Sequence, residues 1–316
     1  MIICVMKKDT LTILIIGASG QIGGACLDVL DNPNTRVGPV YLHGSDQCWP
    51  KFRVVGADSV KKKGILKLDI TKKKEVERVF KKVKPDVVIL TAAYSHVDGN
   101  EARKHFAHKV NVGGVEHVVN ECREHMAKLI FFSSAYVFDG KKGNYQEDDT
   151  PRPINYYGET KLEGERIIKG ALNDYIIVRT TWVFGFGYDN KNFAVRVLNT
   201  LKRGETIQVP SDQYGNPTLA RAIARAIEEM ILRNKKGIWH IAGRDRMNKY
   251  EWAVRLAKHF RLNSSLIEPV STKSFGARAR RPLKGDLNIG KARSELSANM
   301  LSLKESLRLL ETRERK

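Results

Sequence analysis

A chain of 316 residues is long enough for one large core or for a principal domain with a smaller lobe. Its formal charge of +20 is carried by lysine and arginine, and its 4 cysteines stand apart with no C-x-x-C pair, which excludes a disulfide framework and a structural zinc. No apolar run approaches the roughly 20 residues that a membrane span needs, and Met1 to Val5 is too short for a secretory signal, so a cytoplasmic protein with no membrane association is expected.

The first apolar run, Leu11 to Ile16, predicts a buried parallel strand and leads into Gly17-Ala18-Ser19-Gly20-Gln21-Ile22-Gly23. Such glycines permit a tight turn and a close approach of backbone to a pyrophosphate, whose charge would rest on the N-terminus of a helix over 21–31. Their spacing of three and three differs from the two-then-three of the common dinucleotide fingerprint. Strands follow at 39–43, 65–68, 86–90 and 128–132, with helices at 72–83, 101–125 and 157–169. Lys72 to Lys74, Lys81 and Lys82 flank Val76, Val79, Phe80 and Val83 at helical spacing, so they form the solvated face of an amphipathic helix. With no aromatic-interleaved basic stretch, the positive charge points to phosphate-bearing ligands and not to nucleic acid.

Apolar strands separated by amphipathic helices predict an α/β fold, a doubly wound parallel sheet of Rossmann type. A strand at 175–178 closes this pattern. Helices at 190–203, 218–233, 248–260 and 301–312, with a strand at 238–241, then predict a smaller substrate lobe. The expected division is a dinucleotide-binding domain over 1–180 and a lobe mainly over 181–316 that folds back onto it. The active site would lie in the cleft between them, at the carboxyl ends of the strands.

Two residues in the last helix of the first half carry chemistry. Tyr157 and Lys161 are four apart and share a helical face, whereas Tyr156 lies off that face. A nearby cation favours a phenolate and would draw the tyrosine's pKa down from about 10. Such a pair can protonate a carbonyl oxygen while hydride reaches its carbon. The serines Ser133 and Ser134 end the apolar run upstream. Glu147, Asp148 and Asp149 precede Pro151 and Pro153 and read as a solvated turn; no metal site is expected.

Six stretches in order resemble the extended short-chain dehydrogenase/reductase superfamily, and more closely the dTDP-4-dehydrorhamnose reductase family. They are Gly17 to Gly23, Thr91-Ala92-Ala93-Tyr94-Ser95-His96-Val97-Asp98, Ser133 to Gly140, Tyr157-Gly158-Glu159-Thr160-Lys161, Arg179 to Gly185, and Asp212 to Thr218. The resemblance runs from about Leu11 to Arg281. It implies that Tyr157 is the general acid for the C4 oxygen of the sugar, that Lys161 lowers its pKa and holds the nicotinamide ribose, and that Ser134, where the family usually has threonine, binds the carbonyl. It also implies dinucleotide contacts from Gly17, Ser19, Gly20, Gln21, Ile22, Gly23, Thr91, Ala92 and Ala93, and adenine contacts from Asp69 and Ile70, although Asp69 could equally cap the helix that follows it.

Tyr136 and Trp182 match positions that face the sugar, and Arg281 matches the start of a segment near the nucleotide diphosphate. Two departures stand out: Ala135 replaces an aspartate, and Lys284-Gly285 replaces Asn-Ser. For the cofactor, an acid at the tip of the second strand would bond the adenosine 2′-hydroxyl and repel a 2′-phosphate. The tip expected here reads His43-Gly44-Ser45 with Asp46 one step late, so His43 and Ser45 as phosphate partners favour NADPH, with NADH as the alternative. The resemblance therefore implies reduction of the 4-keto group of a nucleotide-linked 6-deoxysugar in dTDP-L-rhamnose biosynthesis, and admits a homodimer. Two other readings keep the fold: another nucleotide-sugar reductase or epimerase, and a non-catalytic regulatory subunit like that of methionine adenosyltransferase.

Overall fold

A computed structural model describes residues 8–31, 50–185, 191–274, 276–298 and 300–314. The first strand, β1 (Thr10–Ile16), is fully buried from Ile13 to Ile16, as expected of a strand covered on both faces. It is followed by helix α1 (Gln21–Leu30), and the chain then supplies β2 (Lys51–Asp58), β3 (Leu66–Lys67), helix α2 (Lys73–Val83) and β4 (Val87–Leu90). Val76, Val79, Phe80 and Val83 are the buried face of α2, which leaves its lysines to water.

The single long helix expected over 101–125 is instead broken. Helix α3 (Val97–Ala102) and helix α4 (Lys104–His108) are separated at Arg103, which leaves helical geometry at φ −133° and ψ 57°. A π turn at Lys109–Gly113 then leads into helix α5 (Gly114–Glu124). The π turn carries Asn111, whose carbonyl accepts from Tyr94 N–H at 2.7 Å and whose amide donates to Thr160 Oγ1 at 3.1 Å. Insertions of this kind are commonly found at functional sites.

Strand β5 (Lys128–Ser134), helix α6 (Tyr156–Ala171) and strand β6 (Tyr175–Thr180) complete the first half. With a seventh strand at Gly237–His240, the sheet has the order Gly237–His240, β6, β5, β4, β1, β2, β3, and all its pairings are parallel. Order 3-2-1-4-5-6 is that of doubly wound dinucleotide folds, and its switch point lies between β1 and β4. The predicted fold class is therefore the observed one.

The second half contributes to both parts of the molecule. Helix α7 (Phe193–Lys202) and helix α9 (Lys249–His259) pack around Trp252 and Leu256 away from the sheet. Helix α8 (Ala220–Leu232) instead lies against α1 in the same core as Ile13 and Ile15. No helix among the described residues is long and apolar enough to cross a membrane.

One strand assignment needs correction. The neighbours of β1 are β4 on one side and Lys51–Asp58 on the other, so the second strand of the sheet is not 39–43. Residues 39–43, together with His43, Ser45 and Asp46, lie outside the described residues. The run Lys51 to Asp58 hides from a sequence reading because it is only half buried at its start and begins with alternating charges.

Candidate active site

The carboxyl ends of β1, β2, β4, β5 and β6 open onto a cavity of about 730 Å³. Gly17, Gly20, Gln21, Ile22, Asp69, Ile70, Thr91, Ala92 and Ala93 face it at one end, and Ser134, Tyr136, Tyr157, Lys161 and Trp182 at the other. Of the remaining expected residues, Ser19 donates its backbone N–H to Asp58 Oδ2 at 3.0 Å. Gly23 is packed against the turn: a Cβ there would stand 2.1 Å from the Gly17 carbonyl oxygen. Arg281 is not part of the cavity wall and pairs with Asp98 at 2.7 Å.

The glycine-rich end fits a dinucleotide phosphate. Helix α1 begins at Gly20 with no side-chain cap and no acidic residue in its first turn. Its leading N–H groups and positive dipole end are therefore free for an anion. Thr91 has a different task from direct contact. Its hydroxyl donates toward the carbonyls of Ile16 and Gly17, each at 3.0 Å, and so ties the end of β4 to the turn. Asp69 does not cap α2: its carboxylate accepts from the N–H and hydroxyl of Thr71 while remaining on the cavity wall.

At the other end, α6 is seated by its first residues. Asn155 accepts from Gly158 N–H at 2.9 Å and donates to the Arg280 carbonyl at 2.8 Å. Gly158 has no alternative, because a Cβ would meet the Tyr136 carbonyl oxygen at 2.1 Å. This close approach brings the Tyr157 ring edge-on to Tyr136, with centroids 5.8 Å apart, and the phenol into a hydrogen bond with Ser134. Ser134 Oγ also accepts from Tyr136 N–H at 3.2 Å, which fixes its rotamer.

The electrostatics differ from the expectation in one respect. Burial pushes the Tyr157 phenol up to about 12, with the Ser134 hydrogen bond acting in the opposite sense. Burial also takes Lys161 down to about 7, opposed by the Glu165 carboxylate one turn further along α6. The lysine ammonium lies 4.1 Å from the centre of the Phe131 ring. Lys161 therefore does not draw the phenol down; desolvation is the largest cause for each group. The Tyr157 phenol stays protonated at neutral pH.

The RmlD substrate binding domain family matches residues 11–314. The chain belongs to this family. It is 32% identical over 292 residues to a dTDP-4-dehydrorhamnose reductase of Aggregatibacter actinomycetemcomitans, covering 88% of this chain and 91% of that protein. The crystal structure of a dTDP-4-dehydrorhamnose reductase of Bacillus anthracis in complex with NADP is similar at a TM-score of 0.82 and 29% identity, covering 96% of this chain and 99% of that one. The chain is also 32% identical over 212 residues to the methionine adenosyltransferase 2 subunit beta of Xenopus tropicalis, covering 65% of this chain and 64% of that protein.

Within this family frame, three features escaped the sequence reading. Asp58 is the residue at the tip of β2, and it faces the cavity. The Gly56-Ala57-Asp58 ending of a β-rich run was the available signal. Asn111 links the Tyr94 backbone to α6 through Thr160. Trp182 holds a left-handed backbone, φ 44°, and stacks on Trp252 with centroids 5.6 Å apart. A bulky residue in that region costs about 1–3 kcal/mol and is retained where the surroundings over-determine it.

The tip of β2 carries an acid, Asp58, where the expected tip had His43 and Ser45. A carboxylate there favours a ribose 2′-hydroxyl over a 2′-phosphate. Asp58→Ala is accordingly expected to shift the ratio of kcat/KM for NADPH over NADH upward, by about tenfold for each 1.4 kcal/mol of repulsion removed. Steady-state kinetics with the two dinucleotides reads this directly, and an unchanged ratio would remove Asp58 from the cofactor site.

Proposed function

We propose that this chain is a cytoplasmic, NAD(P)H-dependent reductase of the 4-keto group of a nucleotide-linked 6-deoxysugar, the dTDP-4-dehydrorhamnose reductase reaction of dTDP-L-rhamnose biosynthesis. The observation that carries this reading is Tyr157, hydrogen-bonded with Ser134 in a cavity whose other end is the uncapped start of α1. The relatives from Aggregatibacter and Bacillus bear the same reaction in their names, and the latter's complex with NADP supports NADPH as hydride source, with NADH as the alternative that Asp58 favours. Residues up to about 180 hold the dinucleotide, and residues 181–316 mainly supply the substrate lobe.

A bound nicotinamide dinucleotide supplies the hydride at the keto carbon. Tyr157 donates its phenolic proton to the carbonyl oxygen as charge develops there, and Ser134 donates a hydrogen bond that fixes the same oxygen. Gly17, Gly20, Gln21 and Ile22 cradle the pyrophosphate, Ser19 and Gly23 hold the turn in shape behind them, and Thr91, Ala92 and Ala93 shape the wall beside the nicotinamide. Asp69 and Ile70 flank the adenine. Lys161 holds the nicotinamide ribose from the same face of α6, and Tyr136 and Trp182 offer aromatic surface to the deoxysugar.

The Lys161 ammonium is present below about 7 and is lost above it. If its charge orients the ribose, kcat/KM falls as pH rises through that value, and Lys161→Met removes this limb while lowering activity throughout. A pH–rate profile that keeps the limb in Lys161→Met would assign it to another group. The reaction itself is tested by following dinucleotide oxidation with and without dTDP-4-dehydrorhamnose. One dinucleotide consumed per sugar supports the reductase, whereas sugar conversion without net oxidation would point to an epimerase.

A further inference from the structure

Asn155 is buried immediately ahead of α6, and the two ends of its side-chain amide have different partners. Its oxygen accepts from Gly158 N–H at 2.9 Å and so caps the helix. Its nitrogen donates to the Arg280 carbonyl at 2.8 Å, 125 positions along the chain. One orientation of the amide serves both partners, since turning it over would set donor against donor and acceptor against acceptor. A cap needs only the oxygen. The nitrogen does something that helix formation does not ask of it.

The partner of that nitrogen belongs to a segment, 279–288, that joins the two halves of the molecule. On the dinucleotide side, Asp98 of α3 accepts from Ala279 N–H at 2.8 Å and from Arg281 Nη2 at 2.7 Å. On the lobe side, Tyr214 N–H donates to the Leu283 carbonyl at 2.6 Å, and Gly285 N–H donates to the Tyr214 carbonyl at 3.0 Å. Leu287 N–H donates to Asn216 Oδ1 at 2.9 Å. The segment takes its place from α3 and the lobe together, and Asn155 grips it there.

The acid stands two residues further on. Tyr157 is the second residue of α6, with Gly158 tight against the Tyr136 carbonyl and the phenol bonded to Ser134. A displaced helix start would carry the phenol with it, and misplacement on the scale of 1 Å costs rate steeply.

Resting on the reductase reading above, we propose that Asn155 is a positioning residue whose amide nitrogen ties the start of α6 to segment 279–288, so that the lobe sets where Tyr157 stands. Asn155 does not line the cavity, so it touches neither the sugar nor the dinucleotide. Its loss shows in kcat and leaves dinucleotide affinity alone.

The test compares Asn155→Asp and Asn155→Ser with wild type, by kcat on dTDP-4-dehydrorhamnose and by calorimetric titration with NADP+. Both variants keep an oxygen that caps Gly158 N–H. At about pH 8 neither donates to Arg280, because the carboxylate has no proton and the serine is too short. An about tenfold fall in kcat is expected in both, with NADP+ affinity unchanged. Towards about pH 5 the introduced carboxyl gains a proton, donates it to the Arg280 carbonyl and restores kcat relative to wild type at the same pH. Asn155→Ser recovers at no pH. The charged groups around the cap, Glu101 on the Tyr156 N–H, Glu159 on α6 and the Asp98–Arg281 pair, are common to all three proteins. Wild-type kcat in both variants would reduce Asn155 to a cap and overturn the proposal, as would a loss in Asn155→Asp that persists on acidification. Should Asn155→Asp fail to bind NADP+, Asn155→Ser decides alone. A wild type that reduces no keto sugar nucleotide discards the reductase reading by itself. The tie is then read by hydrogen exchange: faster exchange over 279–285 in Asn155→Ser supports it, and unchanged exchange overturns it.

Discussion

Tyr157→Phe is expected to lower kcat by about 10²–10⁴-fold, the range for loss of a positioned general acid, while dinucleotide affinity stays at the wild-type level. The phenyl ring preserves the edge-on packing against Tyr136, whose centroid lies 5.8 Å away, so the loss is confined to the hydroxyl. Because burial holds the phenol at about 12, wild-type Tyr157 remains protonated across the neutral range and its own titration does not limit the rate there. Ser134→Ala removes one hydrogen bond to the same oxygen but leaves the proton donor in place, and its effect is the smaller of the two. Measured kcat with saturating substrate, beside dinucleotide binding by titration, separates chemistry from folding. A Tyr157→Phe variant that turns over at the wild-type rate would remove the acid from the mechanism.

The second large effect concerns the frame beneath the site. Glu165 and Arg179 form a fully buried pair, with Arg179 Nε and Nη2 donating to the two carboxylate oxygens at 2.9 and 2.7 Å. Ser133 donates to the same carboxylate, and the guanidinium also lies over Phe138. The pair binds the end of β5, the end of β6 and the helix that carries Tyr157 and Lys161 into one unit. Glu165→Ala strands a buried guanidinium and is expected to cost about 3–5 kcal/mol. The double variant Glu165→Met/Arg179→Met removes both charges and should recover much of that loss. Urea unfolding of the three proteins measures both numbers; a single variant as stable as wild type would show that water reaches the pair.

The parts of this molecule that could be read from its sequence are those fixed by local pattern. Ile13 to Ile16, Val87 to Leu90 and Leu129 to Phe132 are continuous apolar runs because both faces of their strands are covered. Tyr157 and Lys161 were legible because four residues on a helix define a face. What escaped depends on contacts between distant segments. The β2 strand is chosen by pairing with β1 and not by its half-exposed sequence, so an apolar run at 39–43 took its place in the reading and carried the acid at Asp58 out of view. The break in the 101–125 helix falls at Arg103, and the π turn after it carries Asn111, which reaches Tyr94, Asn100 and Thr160, partners up to 49 positions away. The direction of the Tyr157 shift is hidden for the same reason, since a sequence displays the cation nearby but not the burial that raises the phenol.

The measurement that addresses the central claim most directly is transfer of label from a dinucleotide deuterated at the hydride position to dTDP-4-dehydrorhamnose, read by nuclear magnetic resonance of the product sugar. The account predicts a single deuterium bound to C4, in an amount equal to the dinucleotide oxidised, and label transfer slowed by about 10²–10⁴-fold in Tyr157→Phe. Product without deuterium at C4, or dinucleotide binding with no product from any keto sugar nucleotide, would contradict it.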